Sequence, residues 1–471
     1  MVLQRHIKAA EMTSIRWFNV LALCGFLAVA SILAVSLVAT PLVLAAPEPV
    51  LSDEASVSQA SAGLQEASGV PLPPASLLSL TVAETVADRD ALSLEDFGQA
   101  APHILTFDGV WERNHAGANV GLEINPWPRT TLKVAVGFDG FLGKGEQFDA
   151  SVLQASWQRG FRWGEHELEL EIGKTARRLG RGRIDTLLMS GELPGFPQVA
   201  YSVAGPRYRY EKLIGDLGTA DRPYKRLTAH RLTYDLTPSL SVGLAEILVR
   251  SEPFPGDVFY DVLPGLPLYL SKYVPGSDSA SDNHLIYVDA EYDAGDWLGY
   301  GEVIFNEFPA GLWLTDNPPL FGVLLGLEMG PWLAEYSLLT NYAYSNGDPG
   351  SRYSHEGRSL GHWMGADGDA LEVRWTQGLA PNWQLAVGGF HWRKGEGKVD
   401  DWYASREERE ENAFLSGVVE RTIGAVGAVK ADLDQLELTA EVRAGVAQNY
   451  RHQEGKSEYV FSAKVGVSYP F

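Results

Sequence analysis

The stretch "GKTARRLGRGRID", residues 173–185, sets Arg177, Arg178, Arg181 and Arg183 close together in a chain whose formal charge is -22. Guanidinium forks grip carboxylates and phosphates through paired N–H donors. The cluster can therefore hold an anionic ligand, or it can offset acidic side chains of the protein's own wall, such as Glu167, Glu169 and Glu171. Both uses hold together if the cluster faces an aqueous interior. A second chemical pattern is "GRSLG", residues 357–361, with His355 and His362 beside it. It has the form of a serine-hydrolase elbow, but that elbow works on a strand–turn–helix of an α/β sheet. Here it lies in a stretch rich in Ser, Gly and Asp and reads as a polar external loop. A barrel-borne phospholipase would need Ser and His on one strand face near the membrane rim, and no such pair is found.

The remaining candidates for chemistry are weaker. Asp278, Asp282, Asp367 and Asp369 match no calcium-loop spacing. The ten histidines are scattered without paired ligand spacing. The only cysteine is Cys24, so neither a disulfide framework nor a Cys-based zinc site can form. No metal, no cofactor and no catalysis are expected. "SREEREEN", residues 405–412, reads as a solvated charge run. Such an acidic chain would repel phosphate backbones, which argues against nucleic acid as a partner. An acidic surface suits cations or neutral polymers such as glycans. Loop tryptophans Trp313, Trp363 and Trp402 could stack on sugar faces, with Arg and Asn groups bonding hydroxyls or uronate carboxylates.

The elements that carry these residues alternate with period 2. "GANVGLEIN" sets Ala118, Val120, Leu122 and Ile124 against Asn119, Gly121 and Glu123. "HELELEIGK" sets Leu168, Leu170 and Ile172 against the three glutamates, and "LELTAEVRAGVA" repeats the pattern over residues 436–447. The last stretch, "SEYVFSAKVGVSYPF", puts Tyr459, Phe461, Ala463, Val465, Val467, Tyr469 and Phe471 on one face and smaller or polar groups on the other. Strands of about 9–11 residues with this pattern span a membrane when tilted. A soluble sandwich also alternates, but three features favour a barrel. The strands recur from Leu105 to Phe471. Aromatics at strand ends, Trp111, Trp127, Trp332, Tyr344, Trp383 and Tyr469, suit interface girdles. Short turns alternate with long segments at 190–225, 251–283, 307–320, 345–368 and 394–412, as periplasmic turns and external loops do. The expected fold is all-β: a transmembrane outer-membrane antiparallel β-barrel of about 16–18 strands over residues 103–471, monomeric and set in outer-membrane lipids.

Ahead of it, Arg5, Lys8 and Arg16 precede an apolar run without charge from Trp17 to Pro47. A basic region, an apolar region and the small residues Ala45 and Ala46 make residues 1–45 a secretory signal peptide, with an uncleaved anchor as the competing reading and Met12 as an alternative start. Removing it raises the negative charge, since it carries three basic residues and one acidic residue. Residues 46–102 read as a flexible or partly helical periplasmic segment, with a short helix near "DRDALSLEDFGQ". A terminal Phe471 on an alternating aromatic strand resembles the signal by which outer-membrane barrels engage their assembly machinery.

Residues 173–250 also resemble a family. Gly180, Arg181, Gly182, Leu187, Leu188, Ser190, Pro194, Phe196 and Pro197 fit one shared stretch. Leu227, His230, Arg231, Leu232, Tyr234, Thr237, Pro238, Leu240, Gly243, Leu244 and Glu246 fit a second. These are similar to the outer-membrane capsule assembly proteins of the Wzi family. The chain departs from them at Leu179-Gly180-Arg181, where the family often shows Trp-Gly-Pro. The resemblance implies a non-enzymatic lectin, a barrel of approximately 18 strands that holds capsular or extracellular polysaccharide at the cell surface. The alternative, which the same alternation serves, is an outer-membrane diffusion porin.

Overall fold

The computed structural model describes residues 102–112, 115–141, 148–254, 256–273, 282–306 and 320–470. Trp313, Phe471, the expected signal peptide and the expected linker up to residue 101 lie outside the described residues.

Eighteen strands form one antiparallel sheet. The first half runs β1 (Ile104–Glu112), β2 (His115–Trp127), β3 (Thr130–Phe141), β4 (Phe148–Trp163), β5 (His166–Thr175), β6 (Phe196–Gly205), β7 (Tyr208–Asp216), β8 (Arg226–Thr237) and β9 (Leu240–Arg250). The second runs β10 (Asn283–Asp293), β11 (Trp297–Asn306), β12 (Leu320–Met329), β13 (Trp332–Leu339), then β16 (Gly368–Ala380), β17 (Trp383–Lys394), β18 (Glu420–Leu433), β19 (Leu436–Gln448) and β20 (Ser457–Pro470). A separate two-residue pair, β14 (Ser354–His355) and β15 (Arg358–Ser359), sits in one loop. The sheet closes on itself because β20 pairs with β1, Ile104 standing opposite Pro470. Closure satisfies every strand edge, the condition for a sheet in lipid. No helix among the described residues is long and apolar enough to cross a membrane, so the crossing is made by strands.

Alternation fixes which face is which. On β20, Tyr459, Phe461, Val465 and Tyr469 are exposed outward while Val460 and Ser462 are buried inward. Outward apolar residues recur around the wall, among them Leu168, Ile172, Leu244, Val288, Leu325 and Val442. Trp127, Trp332, Trp383 and Tyr469 are exposed at the ends of their strands, as girdle residues should be. Tyr344 is not among them: it is fully buried in the loop after β13. Its aromatic ring suited an interface, but its hydroxyl has a partner inside the barrel.

One rim carries short turns such as Trp163–His166, Gly205–Tyr208 and Met329–Trp332, and the other carries all the long connections. In membrane barrels the short-turn rim is periplasmic and the long-loop rim external. The segment 190–225, read from sequence as one long loop, contains β6 and β7 and the tight turn between them. Its alternation is masked because small inward residues, Ala200 and Ser202, are as buried as neighbouring apolar ones. The "SREEREEN" stretch forms a short helix, Arg406–Glu411, whose first turn is capped by the Ser405 hydroxyl accepting from the Glu408 N–H.

Candidate functional site

The loop from β5 to β6, residues 176–195, folds into the barrel instead of outward. Its neck is closed by reciprocal backbone bonds between Leu179 and Met189, at 2.9 and 3.0 Å. Its tip is held by two inward carboxylates from strands more than a hundred positions away. Glu302 of β11 accepts from the backbone N–H groups of Arg181, Gly182 (2.6 Å) and Leu187 (2.7 Å), and from the Thr186 hydroxyl (3.0 Å). Glu335 of β13 accepts from the N–H groups of Arg183 (2.6 Å), Ile184 (3.2 Å) and Asp185 (2.9 Å), and from the Tyr300 hydroxyl (2.7 Å). A buried carboxylate needs such a full set of donors, since an unsatisfied charge in this environment is costly. Two glycines permit the wrap. A Cβ on Gly182 would stand 1.7 Å from the Asp185 carbonyl oxygen, and one on Gly180, whose φ is +137°, would stand 1.6 Å from the Thr186 hydroxyl.

The arginine side chains face the lumen, as expected, but mostly meet different acids from those expected. Arg177 does pair with Glu171. Arg181 donates to Asp289 (2.7 Å) and to the Ser241 hydroxyl (2.7 Å). Arg183 donates to Glu328 (2.7 Å) and Glu291 (2.9 Å), with its guanidinium 4.9 Å from the Tyr300 ring centre. Arg178 donates to the carbonyls of Gly182 (2.7 Å) and Ser190 (3.4 Å), bracing the loop internally. Glu291 and Glu328 lie two and one residues from the turn ends of β10 and β12, so the loop tip reaches deep towards the periplasmic rim.

The loop between β13 and β16 packs over this plug. Tyr344 and Tyr353 donate their hydroxyls to the carbonyls of Leu187 (2.8 Å) and Leu188 (2.6 Å). The Ser190 N–H donates to the Leu360 carbonyl at 3.0 Å. The Trp363 N–H donates to the Asp185 carboxylate at 2.8 Å. "GRSLG" is therefore exposed at Gly357 and Arg358, as an external loop is, but turns inward at Ser359, Leu360 and Gly361 against the plug. Ser359 is buried and its hydroxyl accepts from the Gly361 N–H, while His362 faces Asp185 at 3.7 Å and His355 lies edge-on to Phe196. The three residues form no serine–histidine pair.

Between plug and wall lies a cavity of about 20 Å³, room for one water, lined among others by Asp185, Glu192, Glu335, His362, Trp363 and Arg443. Trp363 meets Trp392 edge-on at 5.2 Å, and Trp392 stacks on Phe390 at 4.0 Å. Burial pushes the Asp185 carboxyl up to about 6 and Glu192 up to about 7, and pushes His362 down to about 3, so His362 is neutral near pH 7. The opposite wall is locked by a quartet in which Arg374 and Arg443 each bridge Glu372 and Glu441. Trp402 stands apart, stacked on Tyr403 at 4.4 Å in the loop after β17. Among the described residues, no group of three or more His, Cys, Asp or Glu could hold a metal ion.

Strands, girdles and an inward-folded loop define a transmembrane outer-membrane β-barrel with one loop bonded across its lumen. No protein-family model matches the chain, and no curated protein does. Among solved structures it is similar to Wzi, an outer-membrane protein involved in group 1 capsule assembly in Escherichia coli and described as a carbohydrate-binding β-barrel. That likeness has a TM-score of 0.54 at 18% identity, covering 79% of this chain and 85% of Wzi. It is also similar to OprD of Pseudomonas aeruginosa, with a TM-score of 0.44 at 11% identity over 79% of this chain and 93% of that one. OpdK of the same organism, solved with vanillate, gives 0.41 at 11% identity over 79% and 98%. At these identities the likeness is one of fold.

Proposed function

We propose that the protein is an outer-membrane lectin of the Wzi type, which binds capsular or extracellular polysaccharide and helps attach or assemble it at the cell surface without chemistry of its own. The observation that carries this reading is the plug: Glu302 and Glu335 tie residues 180–187 across the lumen, where a diffusion porin needs free passage. The sugar surface belongs at the loop rim, where the half-buried Trp402–Tyr403 stack offers a flat aromatic platform of the kind that sugar rings cover. Trp313 and Trp363 belong to the same proposal, Trp363 from beneath. Arg177, Arg178, Arg181 and Arg183 serve it by holding the plug that supports the rim, Arg183 from its deep end, and the exposed edge of Arg177 is the cationic group an acidic glycan would meet. Export behind a cleaved signal over residues 1–45, delivery through Phe471 to the barrel assembly machinery and a monomeric state in outer-membrane lipids complete the reading.

The test joins a pull-down with purified glycan to single-channel recording. Glycan capture that is lost in Trp402→Ala, with conductance near baseline, is the expected result. Large steady currents without glycan capture would make the protein a porin.

A further inference from the structure

The outward face of the wall is not apolar throughout. On β7 to β10, the residues in phase with the exposed Leu232, Leu244 and Val288 continue, towards the loop rim, as Lys212, Thr228, His230, Glu246, Arg250 and His284. All six side chains sit on the outside of the barrel, and yet Lys212, Thr228, Arg250 and His284 are buried. What covers them is the connection from β9 to β10. Its helix, Asp257–Val262, and the turn Leu268–Tyr273 lie back against the outer wall instead of over the mouth.

The contacts are polar and specific. Lys212 donates to the Tyr260 carbonyl at 2.8 Å. Asp261 accepts from Thr228 (2.5 Å), Arg226 (2.9 Å) and Arg250. Glu246 accepts from the N–H groups of Leu268 and Tyr269, both at 2.7 Å, and stands 2.8 Å from His284 and 3.1 Å from His230. The Tyr201 hydroxyl reaches the Val262 carbonyl at 3.2 Å, and the Gly265 N–H reaches the Tyr210 hydroxyl at 2.9 Å. The opposite side of the same segment is apolar: Val258, Phe259, Val262, Leu263 and Leu270 are 45–65% exposed.

The height of the apolar wall says what meets that side. On β20 the outward apolar row runs from Tyr459 to Tyr469, which spans about 26 Å at ~3.4 Å per residue and ~40° tilt, close to the ~25 Å band of a membrane barrel. On β9 the same row runs only from Leu240 to Leu244 before Glu246 interrupts it, and spans only about 10 Å by the same measure. Left bare, the charged remainder would face acyl chains.

We propose that residues 256–273 are a membrane-inserted shoulder, clamped by its polar side to the outer wall of β6–β10 and presenting Val258, Phe259, Val262, Leu263 and Leu270 to the acyl chains of the outer leaflet. The partner is lipid, because the patch is continuous with the wall that lipid already covers. The shoulder restores the missing height of the apolar band on that side of the barrel.

Full-length protein with Cys24→Ser, reconstituted in lipid bilayers, would carry a nitroxide at Phe259→Cys or, separately, at Leu263→Cys. Leu244→Cys supplies the lipid-facing reference and Glu356→Cys the aqueous one. Heat-modifiable migration on gels certifies folding of each variant before measurement, and the second position serves if the first does not fold. The expected result is an oxygen-to-nickel-chelate collision ratio at the shoulder like that at Leu244 and several-fold above that at Glu356. A ratio matching Glu356 in folded protein would overturn the proposal.

Discussion

The plug rests on two carboxylates, so replacing them tests it most directly. Glu302→Gln keeps the volume of the side chain but not its charge or its second acceptor oxygen. Wild-type Glu302 takes three backbone N–H groups and one hydroxyl. A single amide oxygen can serve about two of these, and its NH2 is turned against the remaining donors. Hydrogen bonds to a charged group are worth about 1.5–3 kcal/mol each, so losing two weakens the seat by about 3–6 kcal/mol before relaxation. Part of the tip survives through Glu335, and a net loss of about 3 kcal/mol is the working figure. At about 1.4 kcal/mol per factor of ten, that multiplies the unplugged population roughly 100-fold. In planar bilayers the wild type should stay near baseline with rare openings, Glu302→Gln should open about a hundred times more often, and the double variant with Glu335→Gln should conduct steadily. Heat-modifiable gel migration should be unchanged, since strand pairing is untouched. A folded double variant that stays silent would refute the assignment of these carboxylates as the seat.

Gly182→Ala should act on the same loop sterically, because its Cβ would strike the Asp185 carbonyl, and limited proteolysis should then cut within 176–195 where the wild type resists. Leu325→Arg places a guanidinium on the lipid face of β12 and should cost about 2–4 kcal/mol, read as a lower heat-modifiability midpoint; Ser359→Ala, by contrast, should leave glycan capture unchanged. For pH, Asp185 binds its proton more tightly folded (about 6) than unfolded (about 3.9), so acidification through this window favours the fold. His362 does the reverse, binding its proton less tightly folded (about 3) than unfolded (about 6.5). The two oppose between pH 4 and 6, so Asp185→Asn should leave His362 uncompensated and make the unfolding midpoint fall on acidification more steeply than in the wild type.

The barrel was legible because lipid imposes a strict rule: each outward position must be apolar, and that writes a period-2 pattern into β2, β5, β19 and β20. The pattern faded where lipid does not touch the strands. On β6 and β7 the shoulder meets the outward Tyr201, Tyr210 and Lys212, so polar groups stand where the alternation calls for apolar ones. The arginine cluster was visible by composition and its lumenal direction followed from charge. Its partners were not visible, since Asp289, Glu302 and Glu335 join it only through barrel closure. A signal was present: a single Glu in the apolar stretches "YGEVIFN" and "LAEYSLL" sits at an inward position and needs a donor. Tyr344 was misplaced because an aromatic with a hydroxyl suits a girdle and a buried hydrogen bond equally well.

The seam between β1 and β20 has a consequence for how the molecule comes into being. Every other wall contact joins strands near one another along the chain, so those hairpins can form as soon as both strands exist. The seam joins the two extremes of the described residues, and its loop-closure entropy is met only after all the other strands are in place. Until then β1 and the growing end each offer an open row of N–H and C=O groups that hydrocarbon cannot satisfy. Assembly therefore has one late, all-or-nothing step. A chain arrested one strand short would leave β1 and β19 to close over a gap, or pair with a neighbouring copy instead.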